Sequence, residues 1–515
     1  MLTFPELLDY WAARRPQEEA VVCGATRFCW REFRAQVHAV AAALRRIGVR
    51  PGERVGLLLD NSAEWAVIYA AIPAAGGIIV PLNPRFGAFE LRGIEADAAC
   101  AALVSVAPAC AMLADRFDCA GAEVGIVLAP RLGAGHAPLS YARAISAGGA
   151  PLNAAASPAD VLGIFYTSGT TGLPKGTMQT HASVLAGITG QMLAMRLNSA
   201  DRGLILAPLA FTGACLSALT PMLMTGGCAV IEPAYNPARM LEVIEAEKIT
   251  YITAVPAIWE RLPALPGFAA ADLSGLRLGC TGGAPVPPAL LQQFRVKGVA
   301  LRQVYGATEA GGLISVPTEA AALATPTAAG LPLATIQLRV MTPEAEPCAP
   351  GEVGEICVRG PQVMRGYWRN PQATEAAFRD GWYRTGDLGA VDATGCITVT
   401  DRLKNMIISG GVNIYPAEIE RAMAAIEAVE EVAVFGAADA TWGQRAVALV
   451  YSSRALDIEA VHQEARRLLG AMKAPRDIVQ CREPLPRTVT NKIARHNLQS
   501  LYHAQTAQNQ TGGAA

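Results

Sequence analysis

Short apolar runs alternate with alanine-rich, helix-forming segments through the first half of this chain. Examples of the runs are "RVGLLL" (Arg54 to Leu59), "GIIVPL" (Gly77 to Leu82) and "CAVIEP" (Cys228 to Pro233). Strand and helix alternating in this way predict an α/β fold, with a mostly parallel sheet covered by helices on both faces. From about Gly330 the texture changes. "TIQLRV", "GEICVRG" and "GCITVT" are short strands with turn residues between them, which predicts a small antiparallel β unit over about 330–400. After "TDRLKNMI" the chain returns to mixed α/β, with a helix start at "YPAEIERAMAAI" and a strand at "VEEVAVFGA". We place a boundary near Asp401 to Lys404, giving domains 1–401 and 402–515. The closing "HAQTAQNQTGGAA" reads as a frayed tail.

With 515 residues, more than one domain is expected, and 52% hydrophobic against 17% charged residues supplies large cores. A formal net charge of -1 gives no electrostatic case for nucleic acid or an anionic membrane. Twelve cysteines include no Cys-x-x-Cys pair and form no ligand-spaced cluster with the six histidines, so a reduced, cytoplasmic chain without structural zinc is expected. Between Arg202 and Glu232 no charged residue occurs, a length that could span a bilayer. Pro208, Gly213, Pro221, Gly226 and Gly227 punctuate it, so strand, loop, helix and strand inside a buried core are predicted instead. The N-terminus carries acids early and shows no apolar signal core.

One strand, "VLGIF", runs directly into "YTSGTTGLPKGT". Glycines there let amide groups turn toward an anion, Thr167, Ser168, Thr170 and Thr171 add hydroxyls, and Lys175 adds a charge. Gly169 belongs to the same cradle. A Walker A loop ends in Gly-Lys-Ser/Thr, whereas Lys175 follows Pro174 and precedes Gly176, so that pattern fails. The loop predicts phosphate binding without a Walker-type NTPase.

This loop resembles the signature of the acyl-adenylate-forming superfamily, which includes acyl-CoA synthetases, luciferases and peptide-synthetase adenylation domains. Six further stretches resemble that family's motifs in order: "VYGATEAGG", "GEICVRG", "GYWRNPQAT", "WYRTGDLG", "DRLKNMIISGGVNIYPAEIE" and "PRTVTNKIAR". The resemblance covers nearly the whole chain. It implies a large N-terminal domain of two mostly parallel, helix-covered sheets plus the β unit, and a small mobile α+β C-terminal domain.

The resemblance also implies roles. Tyr305 offers a ring to adenine beside Gly306, Thr308 a hydroxyl to phosphate, and Glu309 a carboxylate to Mg²⁺. Gly282, Gly283, Ala284 and Pro285 form a turn beside adenine and the substrate carboxylate. Asp387 accepts from the ribose hydroxyls, Arg402 reaches the nucleotide, and Lys404 is the hinge. Gly410 and Gly411 pass the pantetheine arm of coenzyme A. Lys492 bridges the attacking carboxylate and the α-phosphate. The family usually has glycine before this lysine; here Asn491 stands there, the side-chain-bearing residue that best tolerates left-handed backbone.

"LAPLAFTGACLSAL" corresponds to the family's substrate-gating stretch, with Ala210 and Phe211 where an aromatic and a histidine often stand. It has no aspartate to pair with an α-ammonium, which disfavours amino acids. Ala210, Gly213 and Ala214 leave room for an apolar acyl group, whether aromatic, alicyclic or medium-chain, in a pocket to which Phe211, Thr212 and Gly282 also belong. The expected activity is an ATP- and Mg²⁺-dependent acid:CoA ligase whose partner is a small carboxylic acid, with a homodimer left open. Loading of a carrier protein in trans is the alternative; a luciferase-like oxidase of the adenylate and a nucleotide-binding regulator also stay open.

Overall fold

The computed structural model describes residues 3–512, apart from 123–124, 153–155, 168–173, 285, 327, 410–411, 440 and 489–492. It divides into two compact units: residues 1–338 with 358–385, and residues 339–357 with 386–515.

The larger unit holds two sheets. In the nine-stranded one, Glu19–Cys23, Cys228–Ile231, Arg202–Ile205, Tyr251–Ala254, Leu278–Gly282 and Arg302–Ala307 run parallel. Antiparallel strands close its edges: Thr26–Cys29 at one side, Gly312–Val316 and Leu331–Pro332 at the other. The eight-stranded sheet has four parallel central strands, Val161–Thr167, Ile78–Leu82, Arg54–Leu58 and Ala102–Ser105, with antiparallel strands on both flanks. The α/β expectation is met by both. Its cause is visible in the burial: Ile78–Leu82 and Ala102–Ser105 are buried at every position, as strands covered on both faces must be.

Each sheet has its own core. Leu204, Val230, Ile252 and Val299 pack with the fully buried Trp259 and Phe294 in one. In the other, Leu58, Val80, Leu103 and Phe117 pack with Ile94 and Leu113. Burying each such side chain contributes about 1.5–3 kcal/mol. The charge-free stretch resolves as predicted into strand Arg202–Ile205, a helical turn Thr212–Ala214, a π-turn Cys215–Leu219, helix Thr220–Thr225 and strand Cys228–Ile231. Among the described residues no helix is long and apolar enough to cross a membrane.

A small sheet contains strands Gln337–Met341, Gly354–Arg359, Trp382–Val391 and Ile397–Arg402, close to the expected β unit. The first three carry the chain from one compact unit into the other, so compactness divides the chain at 338/339, 357/358 and 385/386 rather than once near Asp401. In the smaller unit, Ile407–Ser409, Val412–Ile414, Glu431–Asp439 and Gly443–Tyr451 pair antiparallel, and Asp477–Cys481 joins them in parallel. Helices Pro416–Met423 and Ile458–Lys473 contribute Ile419, Met423, Val461 and Ala465 to the core on this sheet.

Two expectations are corrected. Cys110 and Cys119 form a disulfide, with Cα atoms 6.1 Å apart, so the chain is not reduced throughout. The turns after helix Ala107–Ala111 fold Cys119 back onto it, a pairing nine residues apart that a search for Cys-x-x-Cys does not meet. The tail is helical from Leu498 to Gly512. Its Gln and Ala residues are adequate helix formers, no Pro interrupts them, and Leu498 anchors the start at full burial.

Candidate active site

Strand Arg302–Ala307 is the last parallel strand before the nine-stranded sheet turns antiparallel, and ligands of open α/β sheets bind beyond the carboxyl ends of such strands. Tyr305, 8% exposed, and Gly306 lie near the end of this strand, which closes at Ala307 before the chain enters the 3₁₀ turn Thr308–Ala310. Gly306 must be glycine, because a Cβ there would lie 2.1 Å from the Gly312 carbonyl oxygen. Two buried amides fix the turn from below. Gln179 Nε2 donates to Thr308 O at 2.9 Å, and Gln362 Nε2 donates to Ala310 O and Leu313 O, each at 2.8 Å.

The stretch expected to bind phosphate is flanked by paired strands. Thr167 closes Val161–Thr167, Lys175 opens Lys175–Thr180, and the two residues are cross-strand partners. Thr180 then caps helix His181–Met195, its hydroxyl accepting from Ser183 N at 3.0 Å. Ser168, Gly169, Thr170 and Thr171 lie outside the described residues.

These elements bring five of the sequence-predicted residues together. Glu309 Oε1 accepts from the Tyr367 hydroxyl at 3.1 Å and from Thr167 Oγ1 at 3.4 Å. Thr308 Oγ1 lies 3.0 Å from Thr212 Oγ1, which ties the turn to the gating stretch. The Lys175 ammonium sits 5.3 Å from the centroid of the Tyr367 ring, a cation–π contact. Tyr383 hydrogen-bonds to the Tyr367 hydroxyl. Burial first, and then the Glu309 charge, push both phenols well above their ordinary range, so both keep their protons.

Phe211 packs edge-on against Phe86, with ring centroids 6.5 Å apart. Ala210 lines a small hollow with Asn61, Arg85 and Pro208. Space opens at Gly213, where a Cβ would meet nothing within 4 Å. Beneath, Gln191 donates to the carbonyl of Ser217 at 2.9 Å within the π-turn, a rare element often found at functional sites. Gly282 ends strand Leu278–Gly282, and Gly283 turns the chain with a φ of 79° before Ala284; Pro285 lies outside the described residues.

In the smaller unit, Asp387 and Arg402 are cross-strand partners, and Arg402 Nε lies 2.6 Å from Asp387 Oδ1. Lys404 follows in the turn Leu403–Asn405; burial, then the charges of Arg402 and Arg495, lower its pKa. Asp401 braces this segment, accepting from Arg402 N at 2.6 Å, Asn405 Nδ2 at 3.0 Å and Ala417 N at 2.7 Å. Gly410, Gly411 and Lys492 lie outside the described residues.

Among the described residues no three His, Cys, Asp or Glu side chains group to hold a metal by themselves. A lone glutamate suits Mg²⁺, which keeps several waters and binds one or two carboxylates together with substrate phosphates. The residues present therefore fit a metal that arrives with a nucleotide. Sequence reading missed Tyr367, Tyr383, Gln179 and Gln362; a signal for the first two was available, because both stand in stretches singled out as motifs, "GYWRNPQAT" and "WYRTGDLG".

Residues 8–368 match the model of the AMP-binding enzyme family, and residues 418–492 match the AMP-binding enzyme C-terminal domain. A feruloyl-CoA synthase of Amycolatopsis sp is 36% identical over 494 residues, covering 95% of this chain and 97% of that protein. An indoleacetate–CoA ligase of Aromatoleum aromaticum is 34% identical over 512 residues, 98% of this chain and 99% of that one. Among solved structures, ATP-bound MatB from Rhodopseudomonas palustris superposes with a TM-score of 0.86 at 27% identity, covering 97% of this chain and 99% of that one. The o-succinylbenzoate CoA synthetase MenE from Bacillus subtilis, in complex with the acyl-adenylate OSB-AMP, gives 0.85 at 27% identity, with the same 97% and 99% covered. By sequence across nearly its whole length, and by fold, this chain belongs to the AMP-binding enzyme family.

Proposed function

We propose that the protein is an AMP-forming acid:CoA ligase working in two half-reactions. A carboxylate oxygen bonds to the α-phosphorus of ATP, the bond to the β-phosphate oxygen breaks, and pyrophosphate leaves. The thiol sulfur of coenzyme A then bonds to the carbonyl carbon of the acyl-AMP. The bond to AMP breaks, and the thiol proton passes to solvent.

Thr167 and Lys175, with Ser168 to Thr171 between them, would grip the phosphates that are discarded. Tyr305, Gly306 and Gly283 to Pro285 would border the base, Asp387 and Arg402 would hold the ribose, and Thr308 would donate to phosphate. Lys492 would place its charge where negative charge develops at the α-phosphate. Lys404 would serve as the hinge that withdraws Lys492, and Gly410 and Gly411 would admit the pantetheine arm. Mg²⁺ held by Glu309 and the phosphates would offset the charge of the departing pyrophosphate.

For the acid we propose an apolar acyl group seated against Ala210 to Gly213 and Gly282. The charge-free stretch supports this, as do relatives whose names carry ferulate and indoleacetate. The observation that carries the function is the family match over both domains together with near-full-length relatives named as CoA ligases or synthases. Those names also favour coenzyme A over a carrier protein as acceptor. A cytoplasmic location belongs to this proposal, since both cosubstrates are drawn from the cell interior; a homodimer is compatible with it and readable by sedimentation.

The test is incubation with ATP, Mg²⁺, coenzyme A and a panel of acids headed by aromatic ones. An acyl-CoA thioester formed with equimolar AMP is expected. Acyl-AMP that accumulates without transfer to coenzyme A would overturn the assigned acceptor.

A further inference from the structure

Three groups from distant parts of the sequence meet on one side chain. The Tyr367 hydroxyl donates to Glu309 Oε1, its ring lies under the Lys175 ammonium, and its oxygen is hydrogen-bonded to Tyr383. The backbone makes the meeting obligatory. Strand Gly366–Tyr367 pairs antiparallel with Lys175–Thr180, placing Tyr367 opposite Thr177, and Thr177 projects to the same side as Lys175 two residues earlier. Trp368 N donates to Gly176 O at 2.7 Å, and Tyr367 N to Thr374 Oγ1 at 2.9 Å, so the ring cannot drift along the strand. Tyr367 is 9% exposed.

Among the described residues, both hydrogen bonds to the Glu309 carboxylate fall on Oε1. A carboxylate held by one oxygen has its other, Oε2, turned to a fixed direction. We propose that Tyr367 is a positioning residue of the adenylation site: its hydroxyl pins Glu309 Oε1 so that Oε2 is presented to the Mg²⁺ of Mg-ATP, while its ring holds Lys175 over the same phosphates. One side chain thus sets the spacing between the cation of the phosphate loop and the metal-binding carboxylate. This inference rests on the nucleotide site proposed above.

The two halves of the role separate by substitution in the full-length protein. Tyr367→Phe removes the hydroxyl and keeps the ring; Tyr367→Leu removes both. Binding is measured by calorimetry with Mg-ATP and with ATP in EDTA, beside thermal melting. Loss of a hydrogen bond to a charged group is expected to weaken Mg-ATP binding about tenfold or more in Tyr367→Phe, with metal-free ATP binding unchanged. Tyr367→Leu should weaken both, and Tyr383→Phe, one bond further out, should show a smaller loss confined to Mg-ATP. In turnover, the Mg²⁺ concentration for half-maximal rate should rise in Tyr367→Phe, recovering toward the wild-type rate at high Mg²⁺.

Equal binding of Mg-ATP by wild type and Tyr367→Phe overturns the inference and leaves the nucleotide site intact. So does a loss of equal size with and without metal, which marks a merely structural tyrosine. Should Tyr367→Phe melt too low to assay, Tyr383→Phe decides by the same comparison. A wild-type chain that binds neither form of ATP overturns the nucleotide site and this inference together.

Discussion

Arg402 Nε meets Asp387 Oδ1 at 2.6 Å across a strand pair, with the aspartate side chain 5% exposed and the arginine 54% exposed. Two residues that the motifs assign separately to the nucleotide are thus partners already. A half-exposed arginine adds about 1 kcal/mol or less to stability through such a pair. Its consequence lies in the ligand: the guanidinium fixes the carboxylate that the ribose hydroxyls would address.

Arg402→Ala should therefore lower the melting midpoint by no more than a few degrees while weakening AMP binding about tenfold. Asp387→Asn should weaken it at least as much, since a charged acceptor becomes a neutral one. Calorimetric titration with AMP, read against melting curves, distinguishes the two effects; a large fall in melting with unchanged AMP affinity would assign the pair to stability alone.

Gly306 tests the turn that carries Thr308 and Glu309. A methyl group there would fall 2.1 Å from a backbone oxygen, which the paired strand can relieve only by moving. Gly306→Ala should cost about 1–3 kcal/mol of stability and reduce adenylation together with it. Full activity at wild-type stability would show that the turn shifts freely.

His181 gives a pH dependence. Burial holds its imidazole at about 4, below the ordinary 6.5, and its Nδ1 accepts from Phe4 N at 3.3 Å. The folded chain stays neutral there where the unfolded chain takes up a proton. Stability is thus complete above about pH 6.5 and falls as pH drops toward 4, by about 3 kcal/mol from this group. Denaturant titrations across that window should show a smaller fall for His181→Asn, which keeps an acceptor and cannot titrate. Parallel curves for both proteins would contradict the assignment.

Lys492 separates the half-reactions. Lys492→Ala should lower acyl-AMP formation by a factor on the order of 10²–10³, as loss of one donor at a developing charge does. Thioester formation from supplied acyl-AMP should be spared. Equal loss in both steps would remove Lys492 from its assigned role.

Much of the architecture was legible because it is written locally. Pro208, Pro221 and the glycine pair Gly226 and Gly227 divide an apolar stretch into strand, turn and helix, and no distant partner is needed to see it. Glu309 and Lys175, which the structure brings to one side chain, were singled out because short motifs carry them. Tyr367 also stands in a motif, but its place beside Lys175 depends on a strand register with Thr177, 190 positions away, which the motif alone does not reveal. The Cys110–Cys119 pair and the C-terminal helix escaped for related reasons: a chain reversal sets the one, and anchoring at Leu498 the other. Two compact units cut through the small sheet because its strands, not a linker, connect them.

Everything proposed for this site turns on activation of a carboxylate by transfer of AMP. Its most direct measurement is acid-dependent exchange of labelled pyrophosphate into ATP with coenzyme A left out. Exchange should require an apolar acid and Mg²⁺, and should give way to stoichiometric AMP and thioester when coenzyme A is added. ADP and inorganic phosphate as the nucleotide products, with no pyrophosphate exchange, would contradict it.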